Sequence, residues 1–202
     1  MKRVCLLMVL VCMMMVSFKP DGSDGKHKGH GYVDLGLSVK WATCNVGATS
    51  PEDFGHYFAW GETSPKDVYT VYNCSTIGEQ MSDIAGDAQY DAATANWGGD
   101  WRMPTIEEMS KLRYECIWTW TMQNGVNGYN VEGPNGNSIF LPAAGYRYGS
   151  SLIDDGGYGS YWNSTPNALN SDYAYYLKFD SDYHIMYNYY RALGLSVRPV
   201  LE

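Results

Sequence analysis

Residues 159–200 read GSYWNSTPNALNSDYAYYLKFDSDYHIMYNYYRALGLSVRPV. Tyr, Asn, Ser and Asp dominate this stretch, with Ile, Leu, Val, Phe and Met set thinly among them. Aromatic and β-branched residues alternate with polar ones between turn formers over 161–164, 174–179, 183–189 and 196–200, which predicts four short strands. The sparse apolar positions can then hold a β scaffold that displays Tyr, Asn, Ser and Asp, side chains that make rigid, amphipathic contacts at low entropy cost. Recognition of a ligand is one reading of this composition. A Tyr-rich β surface with no specific ligand is the other.

Working outward, residues 146–159 read as a glycine-rich loop. Residues 129–132 and 138–142 pair as a hairpin around 133–137, where Asn and Gly supply the positive φ a tight turn needs. Residues 117–122 alternate as a strand with Trp118 and Trp120 on one face. The clearest helix is 105–115. Thr105 and Glu108 form a T-x-x-E capping box, and Ile106, Met109, Leu112 and Cys116 recur at spacings of three and four. Glu107 and Glu108 are adjacent, about 100° apart on a helix, so they complement the helix dipole rather than share an acid–base site. A shorter helix over 91–97 starts from an Asp91 N-cap. Nearer the N-terminus, Val33, Leu35 and Leu37 and then Val39, Trp41 and Thr43 predict two strands, and 56–61 and 68–72 read as further strands. A helical turn is expected at 51–54, with Ser50 as N-cap and Pro51 at the first helical position.

The chain has 202 residues and a formal net charge of −8, from 22 acidic and 14 basic side chains. Lys and Arg fall singly after Lys28, and neutralising phosphates needs them clustered, so no nucleic-acid partner is expected. Residues 1–18 read as a signal peptide or N-terminal anchor, with Lys2 and Arg3 before an apolar run at 4–16 too short to span a bilayer. Membrane contact is expected only through that leader, if it is uncleaved or lipidated. Residues 19–30 (KPDGSDGKHKGH) read as a flexible linker, and 31–202 as the folded domain. Export places Cys44, Cys74 and Cys116 in an oxidising compartment. One pair could bridge, or all three are small buried hydrophobes, and the sequence does not choose among the pairings.

Enzymatic signatures are missing: neither G-x-S-x-G nor H-E-x-x-H occurs, and His56 and His184 stand outside any recognised motif. No C-x-x-C suggests a zinc site. Asp154, Asp155, Asp172, Asp180 and Asp182 could offer oxygen ligands to Ca²⁺. The reading therefore has no cofactor and no metal. It places a ligand-binding surface at Tyr146, Tyr148, Tyr161, Asn163, Tyr173, His184, Asn188 and Tyr190, with a cell-surface protein or a carbohydrate as partner.

The strings YVDLGLSVKWATCNVGA (32–48), YFAWGETSP (57–65), WRMPTIEEMSKL (101–112), SIFLPAAGYR (138–147) and GLSVRPV (194–200) together resemble the Fibrobacter-type major paralogous domain, a family of exported proteins of Bacteroidales. The resemblance implies an α+β, C-type-lectin-like fold with small twisted antiparallel sheets, two helices and long loops. It also implies an exported protein of the cell envelope, surface or exterior. The fold is shared with formylglycine-generating enzymes, but their cysteine pair lies near the C-terminal half and this chain has no cysteine after Cys116. The E-P-N and Q-P-D triplets of sugar-binding C-type lectins are likewise missing. The last stretch also resembles the variable region of lectin-fold proteins diversified by retroelements, with Asn163, Asn167, Asn170, Asp172, Asp182, His184, Asn188 and Tyr190 as candidate diversified positions. Trp162, Leu177, Phe179, Val197 and Arg198 would be the fixed frame. The resulting expectation is an exported, adhesin-like, non-enzymatic binding domain. The alternatives are a structural envelope module and, third, an enzyme.

Overall fold

The computed structural model describes residues 24–202. The leader and the first part of the linker lie outside the described residues. Strands β1 (Gly25–His27), β2 (His30–Asp34) and β3 (Lys40–Ala42) open the fold. A long excursion with a 3₁₀ turn at Val71–Asn73 leads to helices α1 (Ala92–Trp97) and α2 (Ile106–Glu115). Then come β4 (Ile117–Gln123), β5 (Val126–Glu132), β6 (Ser138–Pro142), β7 (Tyr146–Tyr148), β8 (Ser151–Ile153), β9 (Gly159–Pro166), β10 (Tyr173–Phe179), β11 (His184–Tyr190) and β12 (Val200–Leu201). They form antiparallel sheets ordered β1-β2-β3-β12, β11-β10-β9, β4-β5-β6 and β7-β8. The chain is therefore α+β. β12 pairs with β3 through Val200 opposite Trp41, so the last strand closes onto the first sheet.

The β9–β10–β11 sheet is the centre, because β10 buries residues on both faces. Leu177 and Phe179 point into a cluster with Met109, Leu112, Val131 and Tyr161. Ala174 and Tyr176 point the other way, against Trp60, Trp162, Leu195 and Val197. A strand covered on both sides loses the simple polar–apolar alternation of a half-exposed one. The buried indoles find carbonyl partners: Trp60 Nε1 donates to Asn163 O at 2.9 Å and Trp162 Nε1 to Phe58 O at 2.8 Å. Arg198 lies buried among main-chain oxygens, donating to Ala42 O, Thr43 O, Phe140 O and Asn45 Oδ1.

Helix α2 forms as its sequence directs. Thr105 Oγ1 accepts from Glu108 N, and Glu108 Oε2 accepts from Thr105 N at 2.9 Å. Met109 and Leu112 are the buried stripe, and the helix packs on β9, β10 and β11. Asp91 caps α1 by accepting from Ala93 N and Thr94 N, and also takes Gly86 N and Met103 N.

Several local expectations are corrected. Residues 146–159 are not a featureless loop: β7 and β8 pair across a turn at Gly149, whose φ of 58° suits glycine. The helical turn expected at 51–54 is a single turn that does not extend into a helix: Asp53 N donates to Ser50 O at 3.2 Å, and Asp53 Oδ2 accepts from Thr49 N and Ser50 N. No strand runs over 196–199: Ser196 makes an isolated bridge to Tyr161, and β12 begins only at Val200, which also bridges to Arg102. The linker expectation fails from Gly25 onward: β1 and β2 form a hairpin, Trp101 Nε1 donates to His27 O, and His30 stacks on Trp97 at 3.7 Å. Two tryptophans supply packing that the polar composition alone does not announce. Cys44, Cys74 and Cys116 are all free thiols.

Candidate binding site on the tyrosine-lined sheet face

Side chains along a strand alternate between the two faces of a sheet, and pairing carries that alternation to the neighbours. Tyr176 pairs with Tyr187 and Trp162, Ala174 with Tyr189, and Lys178 with Ser160 and Ile185. Those residues share one face. Leu177 pairs with Met186 and Tyr161, Tyr175 with Asn188, Tyr173 with Tyr190, and Phe179 with His184. These share the opposite face.

The first face carries a hollow of about 230 Å³, lined by Tyr146, Asp154, Tyr158, Ser160, Tyr176, Lys178, Tyr187, Tyr189, Leu193 and Leu195. Strand β7 brings Tyr146 there because Arg147 exchanges main-chain hydrogen bonds with Gly194 at 2.8 and 3.0 Å. The turn after β8 brings Asp154 and Tyr158, with Asp154 at a φ of 58° and its carbonyl accepting from Tyr158 N at 2.9 Å. Lys178 Nζ lies 4.8 Å from the centre of the Tyr158 ring, a cation–π contact. Tyr187 meets Tyr176 edge-on at 6.0 Å, and Tyr176 meets Trp162 edge-on at 5.6 Å. The floor is thus fixed by the core, while Tyr187 and Tyr189 are 48% and 41% exposed at the rim.

Burial pushes the Tyr176 hydroxyl far above the ordinary tyrosine range, with the neighbouring Tyr187 adding to it. Burial also raises Tyr146, helped by the negative charge of Asp154. Both phenols are neutral hydrogen-bonding groups at neutral pH, and neither is a ready nucleophile or base. The hollow combines aromatic faces and hydroxyls with one ammonium and one carboxylate. Such a set can hold a ligand with an apolar face and polar edges.

Of the eight residues expected at the surface, Tyr146 alone lines this hollow. Tyr148 lies two residues on and is 62% exposed. Tyr161 and Asn163 are corrected as surface residues because both are buried. Tyr161 donates to Pro142 O at 2.6 Å, and Asn163 Oδ1 accepts from Thr165 N at 2.9 Å. His184 stacks on Trp118 at 4.5 Å, and burial with nearby Arg113 pushes its pKa down, so it packs as a neutral ring. Asn188 Oδ1 accepts from Asn167 Nδ2 at 3.0 Å, and Tyr173 meets Tyr190 at 4.8 Å. Those last four lie on the opposite face from the hollow. The turn between β9 and β10 also has structural uses for its Asn residues. Asn167 Oδ1 accepts from Leu169 N and Asn170 N, and Asn170 Oδ1 accepts from Asp172 N.

Every other lining residue, among them Asp154, Tyr158, Tyr176, Lys178, Tyr187 and Tyr189, lies outside the expected surface. Period-two alternation of Tyr187 and Tyr189 along β11 is the signal that separates them from Asn188 and Tyr190. Among the described residues, no group of three or more His, Cys, Asp or Glu side chains is placed to hold a metal ion.

Residues 105–200 match a family model described as "Domain of unknown function (DUF8237)". The match covers just under half of the chain, from the N-cap of α2 to the first residue of β12, and includes every residue lining the hollow. No curated protein and no solved structure matches the chain.

Proposed function

We propose that this chain is an exported, non-enzymatic, adhesin-like binding module with a C-type-lectin-like arrangement of its sheets. Its ligand is a cell-surface protein or a carbohydrate, bound at the hollow bounded by Tyr146, Tyr176, Tyr187 and Tyr189. The observation that carries this reading is the convergence of tyrosines from β7, β10 and β11 on one concave face, beside Lys178 and Asp154. Tyrosine adds contact area at low side-chain entropy cost and is enriched among residues that dominate binding energy.

The test is a screen of the full chain against arrays of glycans and cell-surface proteins, with Tyr187→Ala/Tyr189→Ala run beside it. Both rings are rim-exposed, so the variant should fold normally and lose the ligand. A chain that binds nothing on either array, while its oligomeric state depends on these rings, would instead favour a structural envelope module.

A further inference from the structure

A second concave region lies on the outer face of the β4–β5–β6 sheet, away from the tyrosine hollow. The register places Asn130 opposite both Thr119 and Phe140, and Ser138 opposite Glu132. Alternation therefore puts Gln123, Asn130, Ser138 and Phe140 on one face, while Val131 and Leu141 enter the core. A hollow of about 430 Å³ sits over this face, walled by Thr43 and the 49–52 segment. A neighbouring hollow of about 290 Å³ shares Thr43, Thr49 and Pro51 with it and ends at the His30–Trp97 stack and Lys26. The two hollows adjoin along that shared wall.

The chemistry of the larger hollow is narrow. Its lining offers amides from Gln123, Asn124 and Asn130 and hydroxyls from Thr43, Thr49, Ser50 and Ser138. Glu52 is the single charged residue there, and it is held by Asn124 Nδ2 at 2.6 Å and Gln123 Nε2 at 3.3 Å. The hydrogen bond from Asn124 keeps the Glu52 carboxyl below its usual range, so it remains an acceptor at neutral pH. Asn124 and Gly125, at φ of 49° and 86°, form the tight β4–β5 turn that sets this wall in place.

We infer that these adjoining hollows bind an uncharged, polyhydroxylated chain of oligosaccharide chemistry, as a site separate from the tyrosine hollow. Amides and hydroxyls both donate and accept, which matches vicinal sugar hydroxyls. An anionic ligand finds no counter-charge in the larger hollow, and a polycationic one finds only Glu52. An extended peptide finds Phe140 O already accepting from Arg198 Nη2 at 3.0 Å, which blocks strand addition there. The mutually stacked His30 and Trp97 rings contribute apolar atoms to the lining of the smaller hollow.

The test is titration calorimetry of the full chain with cellohexaose, xylohexaose and mannohexaose. Two variants are compared, Gln123→Ala/Asn130→Ala and Ser138→Tyr. The second keeps the amides and fills the hollow from an exposed strand position, which guards against a folding defect in the first. Binding of at least one hexasaccharide is expected, weakened about tenfold or more in both variants, as loss of one or two net hydrogen bonds or of space would give. Failure of all three sugars to bind overturns the inference. So does binding that both variants retain, or that is lost only in Tyr187→Ala/Tyr189→Ala.

Discussion

Arg198 is fully buried, and its guanidinium donates to three main-chain carbonyls and the Asn45 side chain. It joins β3, β6 and the C-terminal segment at one point. A lysine would keep the charge but lose the planar fork, leaving buried carbonyls unpaired. Arg198→Lys should cost on the order of 3 kcal/mol in urea unfolding, and an unchanged midpoint would refute this role. Gly159 has a different constraint. A Cβ there would overlap the Phe179 ring, so Gly159→Ala should destabilise by about 1–3 kcal/mol through overpacking, read from the thermal midpoint. At this scale the sequence was partly legible. Trp162, Leu177, Phe179, Val197 and Arg198 stand out as apolar or cationic fixed points in a polar stretch, and all are buried. Tyr161 and Asn163 belong to the residue types expected to face a ligand, yet they are equally buried. Tyrosine is amphipathic, and only the fold reveals that Pro142 O waits for the Tyr161 hydroxyl.

Elements show why some signals read well and others do not. The capping box of α2 is local, so four residues suffice to announce it. Its reinforcement is also near in sequence: Arg102 grips Glu108 with two hydrogen bonds of 2.8 and 2.7 Å. Burial alone would raise the Glu108 carboxyl, but the bonds from Arg102 and Thr105 outweigh it and hold the group below its ordinary 4.5. A depressed carboxylate contributes stability above its unfolded value and loses it as pH falls through the folded one. Glu108→Gln should therefore cost about 1–2 kcal/mol at neutral pH and flatten the loss of stability on acidification below about pH 4.5. Equal acid sensitivity in variant and wild type would contradict this. The face assignments of β10 and β11 needed more than local pattern. β10 is buried on both sides, so composition cannot tell which tyrosines share a face, and the pairing register decides it. The hairpin of β1 and β2 was hidden for the opposite reason. Its polar sequence relies on Trp97 and Trp101, some seventy residues away.

For the molecule as a whole, the α+β class came with the family resemblance, and strand alternation and one well-capped helix agree with it without yielding it alone. The location of a concave site was not legible. The hollow is assembled from β7, the turn after β8, β10 and β11, and its shape depends on the Arg147–Gly194 bridge that no short window of sequence contains. Binding at one face of the central sheet makes a demand that a generally adhesive tyrosine surface does not. The opposite face, with Tyr173 and Tyr190, carries the same residue type at the same end of the sheet. The most direct measurement compares Tyr187→Ala/Tyr189→Ala with Tyr173→Ala/Tyr190→Ala for affinity toward whichever cell-surface protein or glycan the wild-type chain binds, alongside their thermal midpoints. The account predicts a loss of about tenfold or more for the first pair, near-wild-type affinity for the second, and similar midpoints. Equal losses from both pairs, or none from the first, would contradict it.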